Sequence, residues 1–199
     1  MTKDDKTNFL YFITRTGMYI YPMDDKNVVS FIHCYELGTK NKCDFTLLSK
    51  EMLSDKYRIH YGNDGWSGQI TRLAKKLSLN WVTTFKRIVL EIVADERQGG
   101  LDKAMMEVLR TRILSLLERV NPLGDIYFND NWTEEWLALC PVKSKWFKQL
   151  WTDNEWTTIK SIDKLMQADS IFNSKDEKKP TLELLEIIEK YNKQKSTNR

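Results

Sequence analysis

Arg15-Thr-Gly-Met-Tyr-Ile-Tyr-Pro-Met-Asp-Asp-Lys-Asn-Val-Val-Ser-Phe-Ile-His-Cys-Tyr-Glu-Leu-Gly38 is the stretch around which the chain is organised. It begins as an apolar, aromatic loop. Gly17 permits a tight turn, and Pro22 pushes Tyr21 towards an extended backbone. The stretch then becomes helical. Asp24 or Asp25 can cap the helix, and Val28, Phe31, Ile32 and Tyr35 recur at i, i+3, i+4 and i+7 as one apolar stripe. Gly38 supplies a stop. The same order of turn, cap, amphipathic helix and stop recurs on both sides. The expected fold is therefore mainly α, a single compact helical domain of about eight helices with at most short strands.

Upstream, Phe9-Leu-Tyr-Phe-Ile-Thr14 is apolar over a length that fits a strand or a short buried helix equally well. Downstream, Asp44 is placed to cap a helix carrying Phe45, Leu48, Met52 and Leu53. Arg58-Ile-His-Tyr61 admits a short strand, and Gly62-Asn-Asp-Gly65 is a turn. Trp66, Ile70, Leu73, Ala74 and Leu77 mark a helix over 66–79, with Lys75 and Lys76 off its apolar face. Asn80 caps a helix to about Arg97. The apolar face there is wide (Trp81, Val82, Phe85, Ile88, Val89, Ile92, Val93), which predicts a central, largely buried element. Asp102 opens a helix through Met105, Leu109, Ile113, Leu116 and Val120 that Asn121-Pro122 ends.

After Pro122 the composition shifts, and five of the seven tryptophans fall between 132 and 156. A short helix with Val142, Trp146, Phe147, Leu150 and Trp151 is expected, then another over 157–168. Pro180 starts a last helix with Leu184, Ile187, Ile188 and Tyr191 inward and Glu186–Lys190 and Glu189–Lys193 as i,i+4 pairs. The expected organisation is an N-terminal helical core over 1–121 and a Trp-rich half over 122–199 packed on it as one continuous domain.

Lys plus Arg number 31 against 28 Asp plus Glu, a net charge of +3. That balance does not point to nucleic acid, where a basic stripe is expected. Three cysteines, 34, 43 and 140, form no CxxC pattern, which fits a reduced, cytoplasmic protein. No apolar run nears the roughly 20 residues that span a bilayer, and Met1–Asn8 mixes acids and bases unlike a signal peptide.

Catalytic signatures are missing from the sequence. It has no Gly-x-Ser-x-Gly elbow, no Walker loop, no Gly-x-Gly-x-x-Gly and no His-Glu-x-x-His. His33 lies opposite the Val28/Phe31/Ile32/Tyr35 stripe and reads as solvent-facing. His33 and Cys34 are helical neighbours that diverge by about 100° and cannot chelate together. Cys34, Cys43, His33 and His60 have no standard zinc spacing. Glu91 and Asp95 stand one turn apart on a helix flank. No metal or cofactor is expected.

Residues 125–136 combine four acids with four aromatics and no base. Acids repel phosphate, so the segment does not read as a base-stacking platform. Aromatics anchor protein interfaces, and acidic neighbours suit a basic partner. Asp125, Tyr127, Asp130, Trp132, Glu134 and Glu135 are the expected partner contacts.

Arg15-Thr-Gly-Met-Tyr-Ile20 resembles the Arg-Pro-Gly-Met-Tyr-Ile-Gly segment of gyrase B-type ATPases, but departs at Thr16 and Tyr21 and lacks that family's downstream acidic and glycine-rich motifs. A longer pattern covers residues 9–93: Arg15-x-Gly-Met-Tyr-Ile, then Phe31-Ile-x-x-Tyr-Glu-x-Gly38, then Gly65-Trp66 before a helix, then an aromatic-rich helix around Phe85. It resembles small bacterial immunity proteins of polymorphic-toxin and contact-dependent inhibition loci. The resemblance implies a non-catalytic protein that binds and neutralises a cognate toxin domain, such as a nuclease. Within it, Gly17, Met18, Tyr19, Tyr35 and Gly38 read as turn, core and cap. The alternative is a nuclease-class enzyme in which His33, His60 and Glu91 converge. A third reading is a nucleic-acid-binding regulator, which needs a basic stripe assembled in three dimensions.

Overall fold

The expected caps set where most helices begin. In the computed structural model, which describes residues 1–40, 42–118, 131–167 and 182–197, the helices are α1 (Lys3–Thr14), α2 (Asp25–Gly38), α3 (Phe45–Asp55), α4 (Gly65–Leu77), α5 (Trp81–Val93), α6 (Lys103–Glu118), α7 (Asn131–Leu139), α8 (Asp153–Gln167) and α9 (Leu182–Thr197). Asp24, Asn80 and Asp102 accept hydrogen bonds from the amides of Asn27, Thr83 and Met105, at 2.8, 2.7 and 2.9 Å. Among the described residues there are nine α-helices and no strand, so the fold is all-α. None of these helices is long and apolar enough to cross a membrane.

Several local expectations change. Residues 9–14 complete a helix begun by a capping box, Thr2 with Asp5. Residues 58–61 form no strand: Arg58 takes a left-handed backbone, φ +58°, and the segment is pinned by side chains instead. Asp44 itself sits at φ +55° and makes no capping bond. The cap of α3 comes from α2, where the Glu36 carboxylate accepts from the Thr46 amide at 2.7 Å and its hydroxyl at 2.6 Å. Gly38 ends α2, yet the left-handed residue that turns the chain is Lys40. Residues 142–151 are turns leading into a short 3-10 segment, Phe147–Leu150, not an α-helix. There the four-residue spacing of Val142, Trp146 and Leu150 imitated a helical stripe. The aromatics instead gather edge-on around Phe147, with Trp146, Trp151 and Trp156 at 5.7, 5.6 and 6.2 Å. The end of α6 at Asn121-Pro122 and the start at Pro180 lie outside the described residues.

The chain divides into two compact units, Met1–Leu109 and Arg110–Arg199. The division falls inside α6, upstream of the break that composition suggests at Pro122. In the first unit α5 is the central element, as its wide face predicts. It packs against α1, α3 and α4, and Phe85, Ile88, Val89, Leu90, Ile92 and Val93 are all buried. Phe85 is surrounded by Phe12, Phe45, Trp66 and Trp81 at 5.5–6.1 Å between ring centroids.

In the second unit α8 packs on α9, burying Ile159, Ile162, Leu165, Leu184, Ile188 and Tyr191. Glu189 and Lys193 pair at 2.6 Å on the outer face of α9. Arg112 of α6 holds Glu135 of α7 at 2.6 Å to both carboxylate oxygens. Arg110 of α6 holds Glu155 of α8.

Candidate functional site

Exposed apolar groups gather where α1, the loop after it and α2 meet. After Thr14 the chain makes one turn of 3-10 helix, Thr16–Met18, anchored by the Thr16 hydroxyl donating to the Phe12 carbonyl at 2.9 Å. That turn leaves Met18 at 78%, Tyr19 at 49% and Tyr21 at 94% exposure. Beside it is a cleft of about 110 Å³ lined by Asn8, Phe9, Phe12, Tyr19, Phe31 and Tyr35. Phe12 stacks on Phe31 at 4.2 Å, and Tyr19 meets both edge-on. Large exposed apolar side chains next to an aromatic cleft are the usual anchors of a protein interface.

A polar cluster braces one wall of the cleft. The Tyr35 hydroxyl donates to Asp5 and accepts from the Asn8 amide, each at 3.0 Å. Burial pushes the Tyr35 hydroxyl up to about 12, and the adjacent Asp5 carboxylate reinforces the shift. Burial alone would push Asp5 up as well. Donation from the Thr2 hydroxyl, the Thr2 amide and Tyr35 outweighs it, so the Asp5 carboxyl lies below its ordinary range. A carboxylate depressed in the folded state adds stability above its unfolded pKa and loses it as the pH falls through the folded value. Stability of the first unit should therefore decline on acidification below about pH 4. Asp5→Asn should flatten that decline while lowering stability at neutral pH. Urea titrations between pH 3 and 7 read both effects; an unchanged acid slope would refute the assignment.

The structure treats the acidic aromatic segment differently from the sequence reading. Asp125, Tyr127 and Asp130 lie outside the described residues. Trp132 is only 3% exposed. Its indole N–H donates to the Leu116 carbonyl at 2.9 Å, and its ring stacks on Trp136 at 5.3 Å. It is a core residue and is withdrawn from the expected contact surface. Glu134 is half-buried, and the Glu135 carboxylate is engaged by Arg112. An internal arginine therefore accounts for Glu135 without a partner protein.

His33 is exposed on α2, with its ring 6.4 Å from Trp66. His60 is exposed in the 56–61 loop, where its carbonyl accepts from Arg72. Glu91 accepts from Lys56 at 2.7 Å and from the Tyr57 hydroxyl. The three residues proposed to converge in an enzyme each have other neighbours. Asp95 is held by Arg97. Cys34 is exposed, Cys43 and Cys140 are buried, and burial raises the thiol of Cys43 to about 12.

Comparison with protein-family models, curated proteins and solved structures finds no match to this chain.

The exposure of Met18 and Tyr19 is what sequence reasoning missed. Both read there as core. The available signal was their position: they fall in a loop, outside any helical period, so no stripe carries them inward.

Proposed function

We propose that the protein is a non-catalytic binding module of the immunity-protein kind. It binds a cognate antibacterial toxin domain, of the nuclease class, and occludes the active or substrate-binding surface of that domain. The observation that carries this reading is the exposure of Met18, Tyr19 and Tyr21 beside the aromatic cleft of α1 and α2. These residues lie within the stretch on which the resemblance to immunity proteins rests. Side chains of this kind cluster at the centre of interfaces, where burial by a partner contributes most of the affinity.

The test has two stages. Capture of the tagged chain from its host is expected to return one stoichiometric toxin domain, and co-expression should restore growth to cells making that domain. Met18→Ala with Tyr21→Ala should then weaken the purified complex by about 2–4 kcal/mol, roughly 30- to 1000-fold in Kd, with no change in melting temperature. A captured toxin domain bound equally well by the double variant would refute the surface. Failure to restore growth would refute the function.

A further inference from the structure

The near-neutral overall charge conceals a local surplus in the first unit. The loop over residues 56–61, Lys56-Tyr-Arg-Ile-His-Tyr61, lies across α4 and is tied down through its own carbonyls. Lys76 donates to the Tyr57 carbonyl at 3.2 Å, Gln69 to the Ile59 carbonyl at 2.8 Å and Arg72 to the His60 carbonyl at 3.0 Å. From α3, the Lys50 ammonium sits 4.4 Å from the centre of the Tyr61 ring. Lys75 follows Arg72 by three residues on α4 and shares its side of the helix. These contacts gather Lys50, Arg72 and Lys76 around the loop, which carries exposed Arg58, His60 and Tyr61, while Lys75 is exposed on α4.

Four acids, Glu51, Asp55, Asp64 and Glu91, lie on or beside these elements. Asp64 cancels Arg72 and Glu91 pairs with Lys56, so the surplus rests on Lys50, Arg58, Lys75 and Lys76. Glu51 and Asp55, also on α3, act on Arg97, and Asp55 directly precedes Lys56 of the loop. Lys76 donates to a neutral carbonyl and has no ion pair among the described residues. On α5, Arg87 lies within electrostatic reach of Tyr57, and its buried Nε–H has no acceptor among the described residues. Arg58 is exposed and holds a left-handed backbone, φ +58°, a conformation that strains a residue bearing a side chain. The pinned loop sustains that strain and carries both exposed Arg58 and exposed Tyr61.

We infer that this loop and the adjoining face of α4 form a binding surface for single-stranded nucleic acid. Cations interleaved with an exposed aromatic are what a strand requires: phosphates pair with Lys and Arg, and a base stacks on the ring. The cations come from α3, the loop and α4, so the full set is assembled only by folding. An acidic polypeptide would satisfy the cations but would give Tyr61 no flat partner.

The test uses the full chain with fluorescein-labelled 15-residue oligothymidylate and oligouridylate, read by anisotropy at about 50 mM salt. The expected Kd is on the order of 10⁻⁵ M, and it should weaken as salt rises. Arg58→Gln with Lys75→Gln should raise Kd about tenfold and reduce the log–log salt slope by roughly 0.7 for each charge removed. Tyr61→Ala should raise Kd at least about fivefold through lost stacking. Lys26→Gln with Lys42→Gln changes net charge equally and should leave Kd within about twofold, which separates this surface from general charge attraction. The inference is overturned if neither oligonucleotide binds below about 100 μM. It is also overturned if the Lys26/Lys42 control weakens binding as much as the Arg58/Lys75 variant, or if polyglutamate displaces the strand as well as unlabelled oligonucleotide does. The Lys75→Gln single variant, which leaves the strained loop backbone intact, provides the same comparison if the double variant melts early.

Discussion

Phe85→Ala should destabilise the first unit by about 3–5 kcal/mol, the range for truncating a fully buried aromatic. Phe85 has 0% exposure at the middle of α5, and four aromatic rings surround it. Truncation removes the transfer energy of a benzyl group and leaves a void that Phe12, Phe45, Trp66 and Trp81 cannot close without leaving their own rotamers. Interiors are packed nearly as densely as organic crystals, so the neighbours have little freedom to collapse inward. For a unit of about 100 residues, the loss corresponds to a fall in Tm of roughly 15–30 °C. Val82 on the same helix is only half-buried, and Val82→Ala should cost less than about 1 kcal/mol. Urea denaturation followed by tryptophan fluorescence measures both. A Phe85→Ala loss no larger than that of Val82→Ala would show that α5 is not the centre of the core.

Glu155→Ala should destabilise the second unit by about 3 kcal/mol, because one carboxylate serves two structures. It closes the first turn of α8, accepting from the Thr152 amide and hydroxyl at 3.0 Å each. It also holds Arg110 of α6. Losing the cap costs about 1 kcal/mol. Breaking a buried ion pair from one side costs 3–5 kcal/mol when the remaining charge is sealed from water. The Arg110 side chain keeps 30% exposure against 12% for Glu155, so water recovers part of its solvation and the total stays near the lower limit. Glu155→Gln retains an acceptor for the cap while losing the charge, and should cost about half as much. Equal losses in the two variants, measured by thermal unfolding, would mean that the capping bond contributes nothing. A loss under about 0.5 kcal/mol in the alanine variant would show that neither contact matters.

The elements legible in the sequence were those governed by near neighbours. Asp24, Asn80 and Asp102 are caps because a side-chain oxygen two or three residues before an amide can reach it whatever the rest of the chain does. The stripe of α2 and the wide face of α5 follow from a 3.6-residue period, and that period alone placed Val28, Ile32, Phe85 and Ile88 in the core. The cap of α3 was not legible, because it comes from Glu36 on another helix. Residues 142–151 satisfied a helical spacing that packing around Phe147 overrode. Trp132 looked like an interface anchor because composition cannot distinguish a tryptophan buried against Leu116 and Trp136 from one facing solvent. Met18, Tyr19 and Tyr21 are exposed only because the turn after α1 directs them outward.

The sequence by itself therefore determined that the chain is helical, where most helices start and which faces turn inward, since those properties depend on residues within about one turn of each other. Tertiary structure alone decided which apolar groups stay outside and which charges meet. Lys50 meets Tyr61 and Lys76 meets the Tyr57 carbonyl only because α3, the 56–61 loop and α4 pack together. Net charge is a sum over the chain, whereas a binding surface depends on distance, and distance between remote residues is set by folding.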